Sequence, residues 1–402
     1  MIRIEGVDAS DYGVVGDAAT DDTAALQMAL NAAAGRGPVC YLPPGRYRLG
    51  GALSVPAGVT LLGASGGAPH SEHPTGTVLL AYGGRGEADG EPLVTLGPNA
   101  GVRGLTIHYP EQAVPDVAPY PWSIRVDGEL CQITDVTLTN PYQALDLGSC
   151  RNELHTVRNV FGCPLQTGAY IDRCTDIGRL ENVHFNPNFW TRSAIQPAIP
   201  ATTAALKAYQ EQHLVGFKIG KTDWEYISNS FVIFPGIGFH FDDFGYGPGN
   251  AEITQSGADI CPVAVRVDRV QDHAGVAFVN GQFMARLEVG AGNEGPVKLS
   301  NCGFWGTPET GSHVVKDGPS TLVLTGCHFT GWDAAGEGEP CIVASGGRLI
   351  VNGCDFMDEG KPPLRLEEGL VAAAILGNTF RGRPEVAAPR GAQVEMAVNT
   401  TL

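Results

Sequence analysis

Positive charge is scarce in this chain. Its 26 Lys and Arg stand against 43 Asp and Glu, a net charge of −17. Proteins that hold nucleic acid neutralise phosphates with clustered Lys and Arg, so no nucleic-acid partner is expected. No run of about 20 apolar residues is present, so no membrane span is expected. The first seventeen residues lack the basic–apolar–small order of a secretory leader. The ten Cys show neither a CxxC pair nor Cys/His zinc spacing.

What is abundant points to turns. Gly (54) and Pro (28) make up about a fifth of the 402 residues, which suits an all-β chain better than a helical one. A hydrophobic content of 43% is enough for a sizeable core.

A repeat follows. "SNCGFWG" (300–306), "TGCHFTG" (325–331), "NGCDFMD" (352–358) and "LGNTFRG" (376–382) share a frame. Phe304, Phe329, Phe356 and Phe380 are 25, 27 and 24 residues apart. Cys302, Cys327 and Cys354 sit two positions earlier, with Asn378 in the fourth copy. Residues i and i+2 share a strand face, so Cys and Phe point inward together and stack on their counterparts. A second set comprises "SIRVD" (123–127), "ALDLG" (144–148), "GAYID" (168–172), "GFKIG" (216–220), "GFHFD" (238–242) and "AVRVD" (264–268), with steps of 21, 24, 48, 22 and 26 residues. The step of 48 reads as one coil plus an insertion. A third set, "TDVTL" (134–138), "RNVFG" (158–162) and "ENVHF" (181–185), keeps nearly the same period. Leucine-rich repeats share this period but need a Leu/Asn consensus that is missing. The spacing predicts a single parallel β-helix domain over residues 1–402.

A solenoid must cover its open end. The stretch 19–37 reads as a helix that does so. Asp21, Asp22 and Thr23 offer N-cap oxygens, Leu26, Ala29 and Leu30 form its apolar stripe, and Gly35 and Gly37 end it.

"DYGVVGDAATDDTAALQMALNAA" followed by "VCYLPPGRYRL" resembles the N-terminal signature of the pectate-lyase-like superfamily, over residues 11–49. That superfamily includes pectate lyases, polygalacturonase-type hydrolases, alginate epimerases and phage tailspikes. The resemblance implies an all-β, right-handed parallel β-helix with an N-terminal capping helix.

In the second set of strands the third and fifth residues point outward. They form two columns: Arg125, Asp146, Tyr170, Lys218, His240 and Arg266, then Asp127, Gly148, Asp172, Gly220, Asp242 and Asp268. A solvated face alone would be served by Ser or Thr, and corner Asp residues often only cap turns. The mixture of His, Tyr, Lys, Arg and Asp is richer than solubility requires. An insertion (186–212) interrupts the repeat and is expected over this cleft, with Thr202 or Thr203 capping a short helix through Leu206 and Tyr209. Trp190 at its start reads either as a sugar platform or as the plug of the insertion's own core.

The next coils, "GFKIGKTDWEYI" (216–227) and "FHFDDFG" (239–245), crowd carboxylates one coil apart. Two carboxylates about 5–10 Å apart suit glycoside hydrolysis. The resemblance to polygalacturonase-type hydrolases matches Asp223 and the Asp242–Asp243 pair, although the family's Gly-His-Gly and Arg-x-Lys motifs are missing. The leading expectation is therefore a glycoside hydrolase needing no cofactor. Asp172, Asp223, Glu225, Asp242 and Asp243 are its acids and bases. Tyr170, Lys218, His240 and Arg266 hold substrate or tune acidity. Trp190, Arg192, Trp224 and Tyr246 form sugar subsites.

A polysaccharide lyase or epimerase is the alternative. Such enzymes abstract the proton alpha to a uronate carboxylate and neutralise that carboxylate with a cation or Ca²⁺. Tyr170, Lys218, His240 or Arg266 would then be the base, and Asp146, Asp172 and Asp268 would hold the metal. A glycan-binding, tailspike-like homotrimer is the third reading. Every reading has an oligosaccharide or polysaccharide as its partner. The Cys column reads as free thiols rather than disulfides. Together with the missing leader pattern this favours a cytoplasmic location, while an extracellular one, usual for the superfamily it resembles, is the alternative.

Overall fold

The computed structural model describes residues 6–65, 76–382, 384 and 386–402; the first five residues of the stretch read for a leader lie outside these. The chain divides into two compact units, Met1–Lys218 and Ile219–Leu402. Each is a stack of short strands in parallel register, as the repeat predicts. Among the described residues, no helix is long and apolar enough to cross a membrane.

In unit 1 the third set of strands forms one parallel sheet, Gln132–Leu138, Thr156–Gly162 and Arg179–Phe185, which Gly101–His108 extends by a strand the repeat reading left out. Each strand bends at one left-handed residue. Gly104, Asp135, Asn159 and Asn182 hold φ of 69°, 56°, 54° and 56° in equivalent places. Asn and Asp tolerate this region better than other non-Gly residues because their short polar side chains bond locally. Here they bond along the column, Asn182 Nδ2 to Asn159 Oδ1 at 2.9 Å and Asn159 Nδ2 to Asp135 Oδ1 at 2.8 Å.

The second set pairs in parallel within each unit. Trp122–Val126, Gln143–Leu147 and Thr167–Ile171 pair in unit 1. Ile237–Phe241, Val263–Val267 and Arg286–Val289 pair in unit 2. Their inward residues, among them Ile124, Leu145, Ala169, Phe239, Val265 and Leu287, are fully buried. The outward third positions stack as expected, Arg125 beside Asp146 beside Tyr170, and His240 beside Arg266. Glu288 extends the column of His240 and Arg266.

In unit 2 the Phe frame closes the core. Ring centroids of Phe304, Phe329, Phe356 and Phe380 are 5.1, 5.1 and 4.9 Å apart in succession. Phe283 adds an earlier ring 5.2 Å from Phe304. Burial of each side chain is worth about 2–3 kcal/mol, and each stacked pair about 1 kcal/mol more. Cys302, Cys327 and Cys354 lie buried beside the rings, and all ten cysteines are free thiols.

The N-terminal helix α1 is Thr23–Arg36, shorter than the stretch 19–37. Leu26, Ala29, Leu30 and Ala33 are buried against the first strands. Its capping differs from expectation. Asp21 Oδ1 accepts the Thr23 N–H at 3.0 Å, whereas Asp22 turns away and accepts the Val15 and Gly16 N–H groups at 2.7 and 3.1 Å. Asp22 thus ties the preceding loop to the helix start. Gly35 lies inside the helix, and Gly37 ends it.

The insertion contains α2 (Asn188–Thr191) and α3 (Thr203–His213), with Thr202 Oγ1 capping α3 through the Ala205 N–H. Its middle does not lie over the outward columns. Ile195 packs on Val78 and Leu80, and the Pro197 carbonyl meets His108 Nε2 at 3.1 Å, on strands of the other sheet. These apolar outward residues were there to be covered, and the insertion covers them.

Candidate functional site

The two outward columns hold two polar groups, one in each unit. In unit 1, Arg125 Nε donates to Asp146 Oδ2 at 2.5 Å, and Asp146 is fully buried. The Tyr170 hydroxyl donates to Asp172 Oδ2 at 2.8 Å, and Asp172 Oδ1 accepts the Arg173 N–H at 2.7 Å. The Tyr170 ring lies between two neighbours: Trp122 stacks at 6.2 Å, and the Lys218 ammonium sits 4.9 Å from its centroid. Asp146 and Asp172, both named above as metal carboxylates, are thus committed to Arg125 and Tyr170.

In unit 2, His240 Nε2 meets Asp268 Oδ2 at 2.8 Å. That hydrogen bond is the main reason the Asp268 carboxyl lies below its usual range; burial opposes it. Arg266 grips Glu288 Oε2 through Nε at 2.9 Å and Nη2 at 2.5 Å. Arg266 is therefore held on the ladder by a carboxylate that the repeat pattern hides, because "RLEV" begins with Arg rather than a small residue.

His240, Asp242 and Asp268 place one ligand atom each within 4.8 Å of one another. An imidazole nitrogen and two carboxylates are a poor set for Ca²⁺, which takes about six to eight oxygens. The donors do not fit the Ca²⁺ of the lyase reading.

The turn after Ile219 is bound more tightly than a solvated edge. Burial pushes the Asp223 carboxyl up, but bonds from Gln271 Nε2 (2.7 Å) and Lys221 Nζ (3.0 Å) bring it below its ordinary range. Trp224 is 57% exposed and holds φ of +61°. Asp243 is a turn residue, its Oδ1 accepting the Gly245 and Gly247 N–H groups at 2.8 and 2.9 Å, which lowers its pKa. Tyr246 stands exposed in that loop.

Several expected site residues fall elsewhere. Glu225, expected on the surface, is fully buried and accepts from the Thr222 hydroxyl at 3.2 Å. The left-handed residue before it reverses the alternation, so Glu225 turns inward with Ile227. Trp190 takes the second of its two readings: it is buried with Cys163, Leu165 and Leu206 as the plug of the insertion. Arg192 is exposed at the end of α2. Asp223 is not a member of the close His240–Asp242–Asp268 group. The buried amides Asn250 and Gln271 were missed, because only coil stacking brings them to the turn.

Comparison with known proteins bears on the chemistry. The family described as rhamnogalacturonase A/epimerase, pectate lyase-like, matches residues 6–92. Mannuronan C5-epimerase AlgE3 of Azotobacter vinelandii is 38% identical over 104 residues, which cover 22% of this chain and 6% of that protein. The chain therefore spans a small part of the curated relatives it matches. Among solved structures, the A-module of mannuronan C-5 epimerase AlgE6 from the same organism covers 98% of this chain and 99% of its own, with TM-score 0.54 and 13% identity. The DFA-IIIase of Arthrobacter chlorophenolicus A6 covers 98% of each chain, with TM-score 0.56 and 12% identity. At such identities these two likenesses show the fold alone. The expectation of a glycoside hydrolase is overturned by the curated relatives, which are epimerases. The carboxylates chosen for hydrolysis also serve other ends: Asp243 closes a loop and Glu225 lies in the core.

Proposed function

We propose that this chain, a parallel β-helix whose residues 6–92 match a pectate-lyase-like family, acts on uronate residues of an oligosaccharide or polysaccharide, removing and returning the proton at C5. The observation that carries this reading is the 38% identity to a mannuronan C5-epimerase over 104 residues. The C5 proton lies alpha to a carboxylate, so the reaction needs a positioned base and positive charge for the developing enolate. Delivery of a proton from water to the opposite face, with the abstracted proton passing from the base to solvent, inverts C5. Loss of the 4-linked sugar from the same intermediate would instead give an unsaturated end.

His240 is the base we assign. Its Nε2 is engaged by Asp268, which leaves Nδ1 to exchange the proton and places a carboxylate behind the imidazolium that forms. Arg266, registered beside His240, brings positive charge to that face of an acidic protein. It is now held by Glu288, from which it would turn towards the uronate. A second reading rests on Tyr170, whose phenol already donates to Asp172 beneath the Lys218 ammonium.

The test is incubation with hexuronate oligosaccharides in D₂O, following deuterium at C5 by NMR and unsaturation at 235 nm. Exchange without absorbance, lowered at least about 100-fold in His240→Gln, is expected. Absorbing products mark the lyase branch. Exchange lost in Tyr170→Phe but kept in His240→Gln moves the base to unit 1. No exchange on any hexuronate refutes the reading.

A further inference from the structure

The turn Lys221–Trp224 combines an exposed indole with a left-handed backbone, as exposed Leu130 and Val398 also combine an apolar side chain with positive φ. What sets this turn apart is the buried amide network that holds it. Its Trp224 is large, mostly exposed, and left-handed at φ +61°. A bulky residue there is a true outlier, and the strain persists only where surrounding structure enforces it. The enforcement is visible. The Trp224 N–H donates to Asn250 Oδ1 at 2.7 Å. Asn250 Nδ2 donates to Gln271 Oε1 at 2.7 Å, and Gln271 Nε2 donates to Asp223 Oδ1 at 2.7 Å. Both amides are buried. The Asn250 backbone closes the turn from both sides, its N–H to the Thr222 carbonyl at 3.0 Å and its carbonyl to the Glu225 N–H at 3.2 Å. A Cβ added at Gly249 would lie 2.2 Å from the Gly220 carbonyl oxygen, so the next coil is pressed against the turn.

This machinery holds an indole out into solvent, where it contributes little burial. Glycine would satisfy the same backbone without strain. Stability therefore does not account for Trp224. An exposed indole offers a flat face to the C–H face of a pyranose. Beside it stand a carboxylate and an ammonium, Asp223 and Lys221, 3.0 Å apart, which suit sugar hydroxyls.

We propose that Lys221–Trp224 is a glycan subsite distinct from the proton-transfer group: Trp224 stacks on a pyranose ring, Asp223 and Lys221 bond its hydroxyls, and Asn250 and Gln271 are positioning residues. The uronate character of the chain it holds rests on the function proposed above; the stacking does not.

The test is calorimetric titration with hexuronate and neutral hexose oligosaccharides of equal length, alongside thermal melting. Trp224→Gly is expected to melt at or above the wild-type temperature while binding weakens about tenfold or more, the scale of truncating an aromatic anchor. Trp224→Phe is expected to keep most of the affinity. Asn250→Ala is expected to weaken binding, with little further loss in the double variant with Trp224→Gly, because both changes disable one platform. Unchanged affinity in Trp224→Gly overturns the proposal. So does a large fall in melting temperature in that variant, which would make Trp224 a structural residue, and so does a wild-type protein that binds no oligosaccharide of either kind. Binding that depends on Trp224 without C5 exchange refutes the epimerase reading and leaves the subsite standing.

Discussion

Replacing Asp268 with Asn tests the pairing with His240 at almost constant shape. The carboxylate lies 2.8 Å from Nε2, and its side chain is 39% exposed against 17% for His240. At an effective dielectric of about 20, opposite unit charges at that separation attract by about 6 kcal/mol. Water and salt reach Asp268, so that figure is too large. Hydrogen bonds to charged groups, measured at about 1.5–3 kcal/mol, set the better scale. The bond strengthens when His240 takes the C5 proton and becomes cationic, so its loss falls on the transition state. The expected result is a kcat lowered about 10- to 150-fold, with KM nearly unchanged because the role assigned to Asp268 is to hold His240 and not the substrate. C5 exchange in D₂O at saturating oligohexuronate measures it. A wild-type kcat in Asp268→Asn, or a raised KM with kcat intact, would refute the assignment of Asp268 as the residue that orients and stabilises the base.

Other outcomes follow from the same geometry. The Asp268 carboxyl is held below its ordinary value chiefly by His240, so the unfolded chain takes up its proton at a higher pH than the folded one. The stability this contributes is present above about pH 4 and is lost as pH falls through the lowered value. Urea midpoints between pH 6 and pH 3 should therefore fall less in Asp268→Asn than in wild type, by under about 1 kcal/mol given the exposure. In the left-handed column, Asn159→Gly and Asn159→Ala both lose the bonds to Asp135 and Asn182, but only Ala meets the left-handed penalty. Ala should be less stable than Gly by about 1 kcal/mol in urea denaturation; equal midpoints would show that the column is not strained for side chains.

The sequence carried the repeat because the physical causes are local. Alternation sets which residues face the core, and a period near 24 residues stacks like on like, so the Cys–Phe frame and the outward His240–Arg266 column were both legible. The exceptions have local causes too. Trp224 in the left-handed region reverses parity, and Glu225 shares its face with Ile227; reading backwards from Ile227 would have placed that carboxylate in the core. Trp190 shares the insertion with the Leu206 helix, a pairing that fits a small core. What could not be read are contacts made only by stacking, such as Glu288 on Arg266 or Gln271 on Asp223, 22 and 48 residues apart. The chemistry was hidden for a further reason: carboxylates that cap turns and carboxylates that transfer protons look alike until their partners are known.

The Phe column of unit 2 also has a mechanical meaning. Its rings recur every 24 to 27 residues, and each coil is stitched only to the ones beside it. Pulled from the C-terminus along the solenoid axis, such a stack cannot share the load among all its coils; the outermost must tear away before the next is loaded. Each tear releases about 24–27 residues, or about 80–95 Å of slack. The material behaves like a zip fastener rather than a block, with one aromatic ring as each tooth.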